Sequence, residues 1–389
     1  MTTNHPEPGR RLHALDNLRA LMMWLGIVLH VSAIYMAGDP ILFWRDPQRT
    51  RVADLLMAFI HSFRMPVFFI LAGFFVALLL QSRGPAGMAR HRALRLGLPF
   101  AVFWPPLFAA TVTLSLVFLH QMGRGRWGID PTLLPKDVPQ GPSTLHMWFL
   151  WLLLWLSLTT AAAARWLPAR LFALPARTLQ ALGAAWWGSL VLALPLVAAG
   201  WDYPRGLLRP GGAFVPPPAE WVHNGLFFVF GLALFHQQWQ LFDLYRRRWA
   251  AYAFAGLLPF LASGALYDHG GAAGAIAFTY NLASWLWSFA LIGLALKVLD
   301  RRHALLAYLA DSSYWVYLAH MPLTIAFGLL LYGADLPALA KMAIDIAATT
   351  LVCLASYHLF VRFTWVSVLL NGKRHVRAPA AGVFSHASS

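Results

Sequence analysis

The stretch LDNLRALMMWLGIVLH, Leu15–His30, decides how the rest of the chain is read. It has the composition of a membrane helix, yet it carries an arginine near one end and a histidine at the other. Arg19 and His30 are eleven residues apart, with nothing charged between them. At about 1.5 Å per residue they lie roughly 16 Å apart along a helix axis, and eleven residues make almost three turns, so both side chains share a face. Taken singly, Arg19 reads equally as a snorkelling residue that orients the helix, and His30 as an ordinary interfacial histidine.

Composition supports the membrane reading. Of 389 residues, 59% are hydrophobic and only 12% charged, about half the charged share of soluble domains. The formal net charge of +15 does not indicate nucleic acid if the positive residues lie in short loops between apolar segments. The single cysteine, Cys353, excludes an intrachain disulfide and any cysteine-based metal site. No metal site and no tightly bound cofactor is expected. The first seventeen residues lack a secretory signal, so the N-terminus is expected to be retained.

Ten apolar segments of near-spanning length recur, at 18–36, 57–80, 96–119, 146–165, 180–199, 221–238, 250–267, 275–296, 312–332 and 338–361. With the N-terminus inside, the inner segments hold Arg10 and Arg11, then Arg83, Arg90, Arg92 and Arg95, then Arg165, Arg170 and Arg177. They continue with Arg246 to Arg248, then Lys297, Arg301 and Arg302, then Arg362, Lys373, Arg374 and Arg377. The outer loops are sparser in such residues, with Arg45, Arg49, Arg51, Arg124, Arg126, Lys136, Arg205 and Arg209. This bias puts both termini in the cytoplasm, which requires an even number of spans. The expected architecture is therefore all-α, a polytopic membrane protein of about ten helices. Residues 1–375 form one domain, and 376–389 form a disordered cytoplasmic tail. Two long outer loops, 120–145 and 200–220, are rich in Gly, Pro and Trp; they suit an ordered cover or a carbohydrate-contacting surface, and equally a plain connector.

Several polar residues sit in apolar surroundings. In AFIHSFRMPVFFILAGFF, His61 and Arg64 are three apart on one helix face, at the depth expected for His30. Arg64 there is either functional or a snorkelling residue that reaches lipid phosphate, and Pro66 suits a kink. Arg92 and Arg95 form R-x-x-R at the start of the third segment, either a plain positive-inside cluster or a phosphate clamp. His146 opens the fourth segment. In the ninth, Tyr314, Tyr317 and His320 step along one face, and His320 is a functional candidate by default, with a bond to a neighbouring helix as the alternative. A positive anchor inside with an imidazole farther out suits a long thin molecule such as coenzyme A.

LDNLRALMMWLGIVLH, IHSFRMPVFFILAGFF, RALRLGLP, HMWFLWLLLW and SSYWVYLAHMPLT together resemble the membrane acyltransferase-3 family over residues 12 to 375. Within it, the nearest resemblance is to the branch of succinyltransferases that act on osmoregulated periplasmic glucans, with IHSFRM as its most specific mark. The resemblance implies a bacterial inner-membrane protein that takes an acyl group from cytoplasmic acyl-CoA, as co-substrate, and gives it to an extracytoplasmic sugar hydroxyl. It makes His30 the essential histidine, Arg19 the arginine of R-x(10)-H, and Arg92 and Arg95 the donor-side pair. An acidic residue expected near the eighth segment is not evident, since FTYNLASWLWSF offers only Asn281.

On this reading His30 is the general base, or alternatively a nucleophile that forms an acyl-histidine. Arg64 and His61 would meet a succinyl carboxylate or sugar hydroxyl, with His146, Tyr317 and His320 at the same acyl or acceptor end. The expected partners are acyl-CoA, a periplasmic glucan or other glycan, membrane lipids and glucan synthesis proteins. Three other functions stay open: an O-acetyltransferase of another extracytoplasmic polysaccharide or lipid-linked sugar, a glycan or lipid transporter, and an idle scaffold. Against a transporter stands the lack of similarity between the two halves of the chain.

Overall fold

The computed structural model describes residues 13–135, 141–201, 203–209, 211–301 and 303–375. The expected disordered tail, 376–389, lies outside the described residues, as do Arg10, Arg11, Lys136, Arg302 and Arg377. The described chain is all-α. Helix α1 (His13–Ile34) leads through a loop to α2 (Arg51–Arg92), and a π turn at Ala93–Gly97 joins that to α3 (Leu98–Arg124). Helices α4 (Trp148–Trp166), α5 (Arg170–Ala184), α6 (Gly188–Gly200) and α7 (Pro218–His236) follow. Then come α8 (Gln238–Asp268), α9 (Ala273–Val298), α10 (Ala304–Leu331), α11 (Ala338–Ser356) and the short α12 (Trp365–Asn371).

Seven helical runs among the described residues are long and apolar enough to cross a membrane, against the ten segments expected. The difference has a physical basis. Arg51–Arg124 counts as one run of 74 residues because the π turn continues the helix from α2 into α3, so it holds two of the expected segments. The segment expected at 180–199 is not one helix, since the chain turns between Ala184 and Gly188. Gly188 makes that turn possible: a Cβ there would lie 1.8 Å from the Leu182 carbonyl oxygen. The resulting α6 has only 13 residues. Helix α7, where a further segment is expected, has 19 and is long enough, but Glu220, His223 and Asn224 in its first turns dilute the apolar run.

Exposure fits a lipid environment. Phe254, Leu258 and Leu261 on α8 are 73%, 75% and 64% exposed, side chains that water would penalise and lipid would not. Trp166, Trp186 and Trp201 lie exposed near helix ends, where interfacial tryptophans collect. The protein is thus a multi-pass membrane protein by helix composition.

The bundle's interior is organised around α1, α2, α9 and α10. Helix α1 packs against α2, α9, α10 and α11, while α2 also packs against α4 and α7. The α2–α7 crossing is close because two glycines meet backbone there. A Cβ on Gly73 would lie 2.0 Å from Phe228 O, and one on Gly231 2.0 Å from Ile70 O. Such small-residue contacts let membrane helices approach where no hydrophobic drive operates.

The two long loops are tied to each other and to the helices beneath. Thr144 N and its hydroxyl both donate to Gly212 O, and Trp151 Nε1 donates to Phe214 O at 2.6 Å. Trp104 Nε1 donates to Ser143 O at 2.9 Å. These bonds tie the described parts of the loops to each other and to α3 and α4.

Candidate functional site

The site begins with a glycine. On α1, Gly26 lies one turn before His30, and a Cβ there would sit 2.6 Å from Arg64 Nη2 and 3.5 Å from His320 Nε2. The missing side chain lets a guanidinium from α2 and an imidazole from α10 reach the α1 backbone. Arg64 Nε donates to Met22 O at 2.7 Å, one turn back on the same helix. Arg64 is 6% exposed and, among the described residues, has no carboxylate within ion-pair distance. A buried cation without an acid leaves donors of its fork free for an anion.

Two imidazoles, His30 and His320, lie beside this cation, and a third, His146, lies against His320. The His30 and His320 rings lie 5.1 Å apart, and those of His146 and His320 lie 5.5 Å apart. Carbonyl partners fix two of the tautomers. His320 Nδ1 faces Val316 O at 3.0 Å and Tyr317 O at 2.8 Å, so it carries the proton, and Nε2 is left buried with no partner among the described residues. His146 Nε2 faces Leu318 O at 3.1 Å, so its proton sits there, and Nδ1 is the unpartnered nitrogen. The Leu318 carbonyl is free to accept because Pro322, four residues on, has no N–H to donate. Tyr317 hydroxyl donates to His146 O at 3.0 Å and locks the same corner. His30 is half-buried, the most accessible of these three rings.

His61 stands a turn away on α2 and borders a second space. Its Nδ1 meets Tyr280 hydroxyl at 3.3 Å, and that hydroxyl reaches Ala58 O. A small cavity there is lined by His61, Trp148, His223, Tyr280, Asn281 and Ser284, among others. His223 Nε2 meets Asn281 Oδ1 at 3.0 Å, while Asn281 Nδ2 donates to Ala277 O. The cavity holds about 20 Å³, enough for a water and too little for a sugar ring. Pro66 also lines it, and its missing N–H leaves Ser62 O without a helical donor.

The basic end is arranged differently from the expected clamp. Arg19 pairs with Asp16 at 3.4 Å and lies over the Phe75 ring. Arg92 is within electrostatic range of Arg19 and Tyr314, and its Nε is buried without a partner among the described residues. Arg95 does not share that face. Within the π turn, Leu98 N–H bonds to Ala93 O, five residues back, and this wider spacing turns Arg95 away from Arg92. Arg95 Nη1 instead donates to Val368 O at 2.8 Å and Leu369 O at 3.1 Å, closing the C-terminus of α12. Tyr314 hydroxyl donates to Arg95 O and ties α10 to the turn.

Five of the expected acyl-end residues thus gather within one buried cluster: His30, Arg64, His146, Tyr317 and His320. His61 borders the adjoining cavity, and Arg19 and Arg92 stay together at the basic end. Sequence reading missed Gly26, His223 and Tyr280. The signal for Gly26 was present, a glycine four residues from His30 on the same face. It also missed two buried acids. Lys341 and Asp46, both fully buried, pair at 2.9 Å, and Asp345 accepts from Thr349 at 3.1 Å. Asp46 lies 295 residues from Lys341, so no local spacing announces the pair. Among the described residues, no group of three or more His, Cys, Asp or Glu side chains is placed to hold a metal ion.

An all-α bundle of membrane-spanning composition, with imidazoles beside an arginine that has no carboxylate partner among the described residues, defines a polytopic protein with a basic site inside its helices. The chain belongs to the acyltransferase-3 family: the family's model, an acyltransferase domain, matches residues 12–358. It is similar to glucans biosynthesis protein C of Salmonella gallinarum, 31% identical over 171 residues, which make up 42% of this chain and 41% of that protein. It is also similar to the protein of that name from Escherichia coli K12, 32% identical over 154 residues, 38% of this chain and 37% of the relative. The similarity therefore spans about two-fifths of the length of these curated relatives. No solved structure matches the chain significantly.

Proposed function

We propose that the protein transfers an acyl group, succinyl in particular, from cytoplasmic acyl-CoA to a hydroxyl of a periplasmic glucan across the bacterial inner membrane. The observation that carries this reading is the meeting of His30, His320 and Arg64 over Gly26 without a carboxylate. Negative charge develops in acyl transfer on the thioester oxygen, and a succinyl group brings a carboxylate of its own. Arg64 is placed to stabilise one of these anions.

In this mechanism both termini face the cytoplasm. Arg19 and Arg92 hold the donor's phosphates at that side, and Arg95 keeps the π turn and α12 in place beside them. The thioester reaches the imidazole cluster along α1. His30 takes the proton of the sugar hydroxyl as its oxygen attacks the carbonyl carbon. The carbon–sulfur bond breaks, the ester forms, and coenzyme A leaves as a thiolate that takes up a proton. His320 and His146, with tautomers fixed by carbonyls, present acceptor nitrogens that can receive a proton from His30 or from the sugar hydroxyl. The cavity beside His61, His223 and Asn281 supplies hydrogen-bonding groups for the acceptor once it widens, under the cover of the two loops.

Mass spectrometry of periplasmic glucans from cells with and without the gene tests this function. Loss of succinyl groups without the gene is expected. Unchanged succinyl content would move the acceptor to another polysaccharide or a lipid-linked sugar, or the donor to acetyl-CoA.

A further inference from the structure

A second site lies outside this cluster, at the outer edge of the basic end. Inside α2, Gly84 adopts φ +67° and is followed by Pro85, so the helix bends there. The bend sets Arg83 on one arm and Gly87, Arg90 and His91 on the other. Gly87 keeps the angle open, because a Cβ there would lie 2.9 Å from Arg83 Cβ. Leu94, Leu98 and Val102, at four-residue steps, form one wall and are 48%, 44% and 40% exposed. Trp365, Val368 and Leu369 of α12 form the other wall, held by Arg95. Lys373 pairs with Asp311 at 2.8 Å and Asn371 donates to Asp311 O, which fixes the end of α12 to α10.

The resulting groove has a volume of about 940 Å³ and is lined by Arg83, Arg90, His91 and Arg95 with no acidic residue. Its walls are exposed apolar side chains of the kind that face lipid tails, and neither Arg19 nor Arg92 lines it. We propose that this groove binds an anionic phospholipid, its phosphate on Arg83 and Arg90 and its acyl chains along Leu94, Leu98, Val102 and Trp365. The charge pattern selects the ligand: basic groups at the rim match a phosphate, and the apolar walls match alkyl chains rather than a ribose or adenine. The groove is separate from the imidazole cluster, so it stands or falls independently of the acyl-transfer reading.

Native mass spectrometry of the purified full chain, supplied with phosphatidylglycerol, cardiolipin or phosphatidylcholine, tests the site. Wild-type protein should retain the two anionic lipids in preference to phosphatidylcholine. The double variant R83A/R90A should lose that preference while acetyl-CoA binding is unchanged. Leu94→Glu, which sets an acid in the groove at an exposed position, should lose it too and covers the case in which the double variant folds poorly. Equal retention of all three lipids by wild type, or unaltered anionic preference in both variants, would overturn the proposal. Loss of acetyl-CoA binding with lipid preference intact would overturn it as well, and would assign the groove to the acyl donor.

Discussion

The ring of His320 lies 5.1 Å from that of His30, tilted by 48°, and turns toward the cluster a nitrogen that has no partner among the described residues. Its other nitrogen is fixed by two carbonyls of its own helix. An imidazole held this way cannot rotate to satisfy the free nitrogen without breaking those bonds. It is therefore committed either to His30 or to substrate. His320→Ala is expected to slow acyl transfer by about a hundredfold or more, the range of a group that assists proton transfer. The check is the initial rate of labelled acyl transfer by purified protein; a rate equal to wild type removes His320 from the site.

Gly26 sets how closely Arg64 approaches α1. Gly26→Val places two methyl groups where Arg64 Nη2 now lies, since even a Cβ would come within 2.6 Å of it. Because the clash is with the end of a flexible side chain, the bundle should still fold and transfer should fall. Gel filtration combined with the transfer assay separates these effects. A fully active Gly26→Val protein contradicts the placement of Arg64.

Arg64 can recognise either the carboxylate of a succinyl group or the thioester oxygen, and substitution distinguishes them. Arg64→Ala should lose roughly ten- to a hundredfold in succinyl transfer, the worth of a hydrogen bond to a charged group. Acetyl transfer should be spared if the carboxylate is the target. Equal loss with both donors leaves the thioester oxygen as the group it stabilises.

The Lys341–Asp46 pair is fully buried and joins α11 to the loop after α1. Lys341→Ala strands a buried carboxylate and should destabilise the protein by about 3–5 kcal/mol. Removing both charges in D46N/K341M should cost less than the single change. Thermal unfolding of the two variants in detergent checks this order, and the reverse order would show that the pair is not a coupled unit.

Helix composition and the positions of His30, Arg64 and His320 were legible because apolar length and in-phase spacing are local properties of the sequence. What escaped was set by local geometry or by distance. Arg92 and Arg95 diverge because a π turn replaces the α-helical spacing that R-x-x-R assumes. The expected 180–199 span breaks because Gly188 passes over the Leu182 carbonyl. Asp46 and Lys341 meet only when α11 packs against α1 and α10. His146 has a buried acceptor only because Pro322 frees Leu318 O on another helix.

If His30 carries transfer from acyl-CoA to a glucan hydroxyl, purified protein in liposomes, given labelled succinyl-CoA and glucan on opposite sides, should form labelled glucan ester. His30→Ala should lose about 10²- to 10⁴-fold of that activity in protein that still folds. Undiminished ester formation by His30→Ala, or glucan crossing the membrane with no requirement for acyl-CoA, would contradict this reading.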